Sequence, residues 1–413
     1  MVRSSMSARR GALCLAALLA GLSAVGATGA AAASNKKAPI VIGYITSETG
    51  VLSGQSVHSE WAPEAVFGAV NARGGIDGHR LELKVEDDQS SPSDNQTAAE
   101  VLVNNDHVFA VIEESAVAFG AAKFLQQQGV PVFGPPIDGP EWSEDSNMFA
   151  VTPPVSGPVG GHFYTYTGTA KILKLLGVTR LAQATYDIPS ALTAAQDTFT
   201  VGKPMGIGQC FFDKSVPLAT FNATVDALTI KHLGCNGVTA PVSTETAVEI
   251  AAALKSAGST AKQLYYNTYN PTVLAQPSAM SSLAGTYSTA TVPFSPPTPG
   301  AKRMLNALHR YTPFSGNLPE LDQIFAYASG EAVLVGLQKA SPDLSRAHFM
   351  SVLRTVSMFT AGGLLPSPTS FAHFGTAKMF PKSSCGYFVR VTTTGYVNGN
   401  GGKPVCGRLV RLS

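Results

Sequence analysis

The stretch "NARGGIDGHRLELKVEDDQSSPSDNQTAAEVL", Asn71 to Leu102, decides the fold. It closes a segment, residues 60–72, whose apolar positions recur at helical spacing, and the glycines of "GGIDGH" are able to take the positive φ that ends a helix. In the following "RLELKVEDD", Leu81, Leu83 and Val85 face one way and Glu82, Lys84 and Glu86 the other, the pattern of a half-buried strand. Asp87 and Asp88 stand where the chain leaves that strand and are expected to cap the helix of "SPSDNQTAAEVLVNN". Upstream, "PIVIGYI" (Pro39–Ile45) is an apolar, β-branched run of the kind a parallel sheet buries on both faces. Downstream come "VFAVI" as a strand, "AFGAAKFLQQQG" as a helix and "VPVFGPP" as a strand. The β-α-β-α-β rhythm predicts a doubly wound parallel sheet.

The rhythm restarts after a Pro/Gly-rich break, "VTPPVSGPVGG" (residues 151–161), with helices and strands alternating as far as "KQLYYNTY". A second break, "ATVPFSPPTPG" (residues 290–300), has proline at a density that excludes regular structure. Beyond it "AKRMLNALHRY", "DQIFAYASGEAVLVGLQKA" and "RAHFMSVLRTV" read as helices. The end, "CGYFVRVTTTGYVNGNGGKPVCGRLVRL", reads as β-hairpins with a Gly/Asn turn. The fold class is therefore α/β, with one lobe over residues 38–155 and 290–342 and the other over 156–289 and 343–413. Two such lobes enclose a cleft, and a ligand is expected at the strand ends that face it.

Residues 1–33 carry Arg3, Arg9 and Arg10, then the short apolar run "GALCLAALLAGLSAVG" and the small-residue tract "ATGAAAAS". That is the pattern of a signal peptide cleaved after Ala33, so the mature chain is expected to be exported, without membrane insertion. With those three arginines gone, a formal charge of +2 becomes nearly neutral, which gives no electrostatic case for nucleic acid. Cys210, Cys235, Cys385 and Cys406 remain, an even count that favours disulfides in an exported chain. Of three pairings, 210–235 with 385–406 closes two short loops and is the one expected. No C-x-x-C or His-Cys spacing supports a metal.

The string "IGYITSETGVLSGQ", followed by "APEAVFGAVNARGGIDGHRLELKVEDDQSSP", resembles the opening of the type I periplasmic solute-binding proteins, the branched-chain amino acid (Leu/Ile/Val) binding family of ABC importers. The resemblance is specific from Thr49 to Pro92 and extends through the later α/β rhythm to about residue 395. It implies two lobes joined by three crossovers, with a small ligand trapped between them by hinge closure. Closure is a population shift, so the ligand must bind the closed form better than the open one. The resemblance also implies delivery of the bound form to a membrane permease, although some relatives act as sensors.

Carried over residue by residue, the resemblance places Ser115, with Ala116 after it, where relatives offer a hydroxyl and helix-start N–H groups to a ligand carboxylate. A simple N-cap is the competing role for Ser115. Glu113 and Glu114 replace the usual small neutral residues before it. Ile137 and Asp138 fall where relatives supply further carboxylate contacts, and an aspartate there repels a carboxylate. Ser190 takes the place of a closing tyrosine, with Tyr186 nearby. Asn267, after Tyr265 and Tyr266, stands where an acid that holds an α-amino group is expected. Ser243 and Thr244 complete the candidates. Both halves of a zwitterion clamp are thus altered, which points to another amino acid, an amide or another polar or cationic solute in place of leucine.

No catalytic signature competes with this reading. There is no G-x-S-x-G, no P-loop lysine and no metal-ligand histidine spacing, and no cofactor motif. Glu113 and Glu114, as neighbours, point apart and are expected to be solvated charges, not the paired acids of a glycosidase.

Overall fold

The computed structural model describes residues 37–412, apart from 137, 138, 155, 219 and 220. The signal-peptide assignment, Ile137 and Asp138 lie outside the described residues. Strands β1 (Ile40–Thr46), β2 (Leu81–Asp87), β3 (Ala110–Glu114), β4 (Val132–Gly134) and β5 (Met148–Ala150) form a parallel sheet in the order β2-β1-β3-β4-β5. The quoted stretch becomes the edge of this sheet. Asn71 fixes the turn that leads into β2: its amide donates to the carbonyl of Leu81 and accepts from the Leu81 N–H, both at 2.9 Å. Gly75 sits at φ +79°, and a Cβ there would lie 2.0 Å from the carbonyl oxygen of His79, so only glycine fits.

Helices Pro92–Asn104 and Phe119–Gln127 cover one face through Ala99, Leu102, Ala121 and Leu125. Helices Trp61–Asn71, Pro299–Tyr311 and Leu321–Ala340 cover the other through Val66, Met304 and Val333. Helix Arg346–Leu353 also belongs here. Phe349 and Leu353 are fully buried in the same core as Phe133 and Phe149, as is Phe371 further on. The expected return to the second lobe at residue 343 does not hold for this helix, whose apolar face packs into the first core.

Asp88 does not cap the next helix. Pro92 takes its first position, Ser91 its N-cap without a side-chain bond, and Asp88 accepts from Ser47 Oγ at 2.6 Å and from Asn95 Nδ2 at 3.1 Å. Asp87 likewise holds Thr49 and the N–H of Gln89. These acids tie the loop after β1 to the loop after β2.

The second lobe is built on β8 (Arg180–Tyr186), β9 (Gly208–Val216), β10 (Gly237–Ala240), β11 (Lys262–Tyr265) and β12 (Tyr287–Ala290), parallel in the order β12-β11-β10-β8-β9. Beyond β12 the sheet turns antiparallel and curls through β13 (Ser383–Val391), which pairs with β14 (Tyr396–Asn398) near its end and with β15 (Val405–Arg411) near its start. β6 (Ser156–Val159) and β7 (His162–Tyr166) complete it, β7 pairing with β15. The sequence reading took residues 151–161 as an irregular break. They contain β6, which pairs with β7 across the positive-φ glycines 160 and 161.

The chain passes between the sheets three times: after β5, after β12 and after Phe371. Leu52 and Val117, from first-lobe loops, are buried in the same apolar cluster as Ala240 and Val242 of the second lobe, so the lobes meet closed on one side. Cys210–Cys235 and Cys385–Cys406 are bonded, both within the second lobe. Cys385 and Cys406 face each other across the β13–β15 ladder. Reduction is expected to cost the second lobe about 2–5 kcal/mol per bridge. Urea melts with and without reductant check this, and coincident melts would show that neither loop constrains the unfolded chain.

Candidate functional site

The carboxyl ends of both parallel sheets turn toward each other, and the loops leaving them enclose a cavity of about 280 Å³. The first lobe contributes Leu52 after β1, Ala116 after β3, Pro135 after β4, and Leu321, Asp322 and Phe325 from the start of helix Leu321–Ala340. The second lobe contributes Tyr186, Ser190 and Asp197 after β8, Val242 and Ser243 after β10, and Tyr266 and Asn267 after β11. Of the sequence candidates, Ala116, Tyr186, Ser190, Ser243, Tyr266 and Asn267 therefore meet in one cavity, and Thr244 does not line it.

Ser115 does not line it. Its hydroxyl accepts from the Val117 N–H at 3.1 Å and lies 3.4 Å from Ser47 Oγ, so it is spent on the turn after β3. The N-cap alternative comes nearer to its role.

The second-lobe wall is held by a buried polar network. The hydroxyl of Tyr186 accepts from the Ser243 N–H at 3.0 Å and meets Thr246 Oγ1 at 2.9 Å. Ser243 caps helix Thr244–Ser256, and Asn267 Nδ2 donates to the Val242 carbonyl at 3.1 Å. Two strand-end loops are thus fixed to each other. Tyr186→Phe leaves the Ser243 N–H buried without its acceptor and is expected to cost about 1–3 kcal/mol. Urea denaturation checks this, and a variant as stable as the parent would remove the hydroxyl from the wall's support.

The lobes are also joined next to the wall residues Leu321 and Asp322. Glu320, the N-cap of helix Leu321–Ala340, accepts from Gln323 at its own helix start and from the Thr272 N–H of the second lobe at 3.1 Å. Burial pushes its carboxyl up to about 8, opposed by the Thr272 bonds and assisted by the charges of Asp322 and Glu245. Burial likewise pushes Asp322 up to about 7, against the hydroxyl of Ser56, which donates to its Oδ2 at 2.6 Å. Asp197 is pushed up to about 6 by burial, with the Thr165 and Ser156 hydroxyls pulling the other way.

Glu113 and Glu114 point apart, as neighbours on β3 must, but they are not solvated: each is about 1 % exposed. Glu113 accepts from Asn95 at 2.7 Å on one face and Glu114 from Ser329 at 3.1 Å on the other. Burial holds both carboxyls well above the usual range.

Asp197, Asp322 and Phe325 went unnoticed in the sequence. Asp197 sits mid-helix in "ALTAAQDTFTVG", and Asp322 and Phe325 at the start of a long helix on the far side of the chain from the other wall residues. No local pattern marks them, because the crossing after β12 alone brings that helix to the cleft. Among the described residues no Lys, Arg or His lines the cavity, and no group of three or more His, Cys, Asp or Glu could hold a metal ion.

A family model described as periplasmic binding protein matches residues 39–396. Among curated proteins no sequence matches. Among solved structures, a fatty acid ABC transporter substrate-binding protein from Thermomonospora curvata is 18% identical, with 87% of this chain and 91% of that one covered and a TM-score of 0.71. A branched-chain amino acid transporter substrate binding protein from Streptococcus pneumoniae, in complex with isoleucine, is 18% identical over 90% and 99% of the two chains, with a TM-score of 0.68. A solute binding protein from R. palustris, in complex with benzoate, is 14% identical over 87% and 95%, with a TM-score of 0.69.

Proposed function

Since this chain belongs to the periplasmic binding protein family, we propose that it captures a small solute in the cleft between its lobes and delivers it to the permease of an ABC importer. The observation that carries the reading is the cavity itself, which is walled by strand-end loops of both sheets and latched by Glu320 on Thr272. Closing such a cleft over a ligand makes the closed form the favoured one in proportion to the ligand's preference for it.

Relatives of the same fold are described with isoleucine, benzoate or fatty acid, all of which carry a carboxylate. This cleft supports a different choice. Its wall offers neutral hydroxyls and an amide among apolar side chains such as Leu52, Ile188, Val242 and Phe325, and Ser115 is turned away from it. The ligand is therefore not a standard branched-chain amino acid. The polar solute expected from sequence must also present an apolar body. Residues Ala116, Tyr186, Ser190, Ser243, Tyr266 and Asn267 are assigned to its contacts, with Asp322 and Phe325 added.

Thermal-shift screening against branched-chain amino acids, amides, polyamines, small sugars and apolar amines is the test. A ligand at a hundred times its Kd is expected to stabilise the protein by about 2.7 kcal/mol. A clear preference for Leu, Ile or Val overturns the ligand assignment, and silence across the whole panel overturns solute capture. Loss of uptake of the captured solute in a strain without the gene checks delivery.

A further inference from the structure

Resting on the reading that the cleft captures a solute, we infer that the solute is a monocation, a protonated amine on an apolar body, with Asp322 as its counter-ion. Asp322 is 4% exposed and lies in the cavity wall, with Ser56 donating to one of its two oxygens. Among the described residues no Lys, Arg or His shares the wall with it. The charge of Asp322 in turn helps to raise Glu114 and Glu320, and each of these keeps one buried carboxyl oxygen without a hydrogen bond. From the opposite lobe Asp197 lines the same cavity, again with a buried oxygen that has no partner.

An ionised carboxylate in a largely desolvated wall attracts a cation more strongly than it would in water, because the local dielectric screens the pair less. A ligand carboxylate meets the reverse situation. No Lys or Arg among the described residues lines the wall to receive it, and it would face two acids. Besides the starts of helices Pro189–Gly202 and Thr244–Ser256, the wall holds the helix start at Leu321, where N–H groups would face an anion. That place is already taken: Glu320 caps the helix through its own side chain, and Asp322 occupies the first turn. The remainder of the wall sets Leu52, Pro135, Ile188, Val242 and Phe325 among neutral hydroxyls and the Asn267 amide, which suits an apolar body carrying few polar groups.

Three probes with one apolar body separate the possibilities: 4-phenylbutylamine, 4-phenylbutanol and 4-phenylbutyrate, titrated calorimetrically into the purified protein at pH 8. The amine is expected to bind at least tenfold more tightly than the alcohol, and the acid more weakly than either. Asp322→Asn is expected to erase the amine's advantage while leaving the alcohol's affinity within about threefold. The ranking of the three probes on the unaltered protein stands even where that variant fails to fold. Equal binding of all three, or preference for the acid, overturns the charge assignment and leaves solute capture intact. Retention of the amine's advantage in a folded Asp322→Asn protein also overturns it. Binding of none of the three overturns the amine assignment, and only silence across the wider panel removes solute capture as well.

Discussion

Raising the pH from 5 to 9 is expected to lower the melting temperature of the ligand-free protein steadily, with the steepest loss between about pH 6 and 8. Four buried carboxyls drive it. Burial pushes Asp322 up to about 7 from 3.8 and Glu320 up to about 8 from 4.5, and raises Glu113 and Glu114 in the same direction. Each holds its proton in the folded protein at a pH where the unfolded chain has released it, so the folded state binds more protons and stability falls as pH rises. The contribution is complete below the ordinary carboxylate range and is lost as the pH passes the folded values. A displacement of about three units, as for Asp322, corresponds to ~4 kcal/mol at full ionisation. Melts followed by circular dichroism across this range check the slope, and Asp322→Asn or Glu114→Gln should flatten it. A melting temperature that is level or rises toward pH 8 would falsify the assignment of these groups as neutral in the folded state.

The second large effect is expected at Phe349. Its ring lies edge-on to Phe109 at 5.0 Å and to Phe133 at 5.9 Å, and it covers Gly336, where a Cβ would come within 2.4 Å of it. Phe349→Ala removes a fully buried ring from a core that has no slack on the helix side, so a loss of about 3–5 kcal/mol is expected. Urea denaturation measures it. A loss below about 1 kcal/mol would mean that helix Arg346–Leu353 is not part of the first lobe's core.

That helix also marks where the sequence stopped being legible. Local patterns are strong in this chain: the period-two alternation of Leu81, Leu83 and Val85, the unbroken apolar run of β1 and the glycine corner at residues 74–78 each specify one local conformation. The α/β rhythm, the two lobes and the disulfide pairing follow from such signals. Which lobe a late helix joins does not, because Phe349 and Leu353 would suit either sheet and only the route of the chain decides. The hairpin of β6 and β7 was hidden for another reason. Pro153, Pro154 and Pro158 read as breakers, although Pro158 is tolerated in β6 at the sheet edge, where its missing N–H has no partner strand to lose.

The cleft divided along the same line. Residues at or just after a strand end, such as Tyr186, Ser243 and Asn267, line the cavity as expected of strand ends in a doubly wound lobe. Ser115 has that address too, yet its hydroxyl is consumed by Ser47 and the Val117 N–H, a competition between neighbours that no spacing reveals. The acids Glu113 and Glu114 were read as solvated because charge is usually outside. Their burial depends on Asn95 and Ser329, which lie 18 and 215 residues away.

β15 enters the second sheet between β7 and β13 and so occupies its interior, although it holds residues 405–411. The first core is in a similar position, since Phe349, Leu353 and Phe371 seal it only after every parallel strand of the second lobe has been laid down. A chain that emerges amino-terminus first therefore has no finished lobe until its last segments arrive. Until then one sheet lacks a layer of its core and the other lacks an inner strand. Removal of residues 346–413 is therefore expected to undo both lobes, not one, since it takes Phe349, Leu353 and Phe371 from the first core and β13 and β15 from the second sheet.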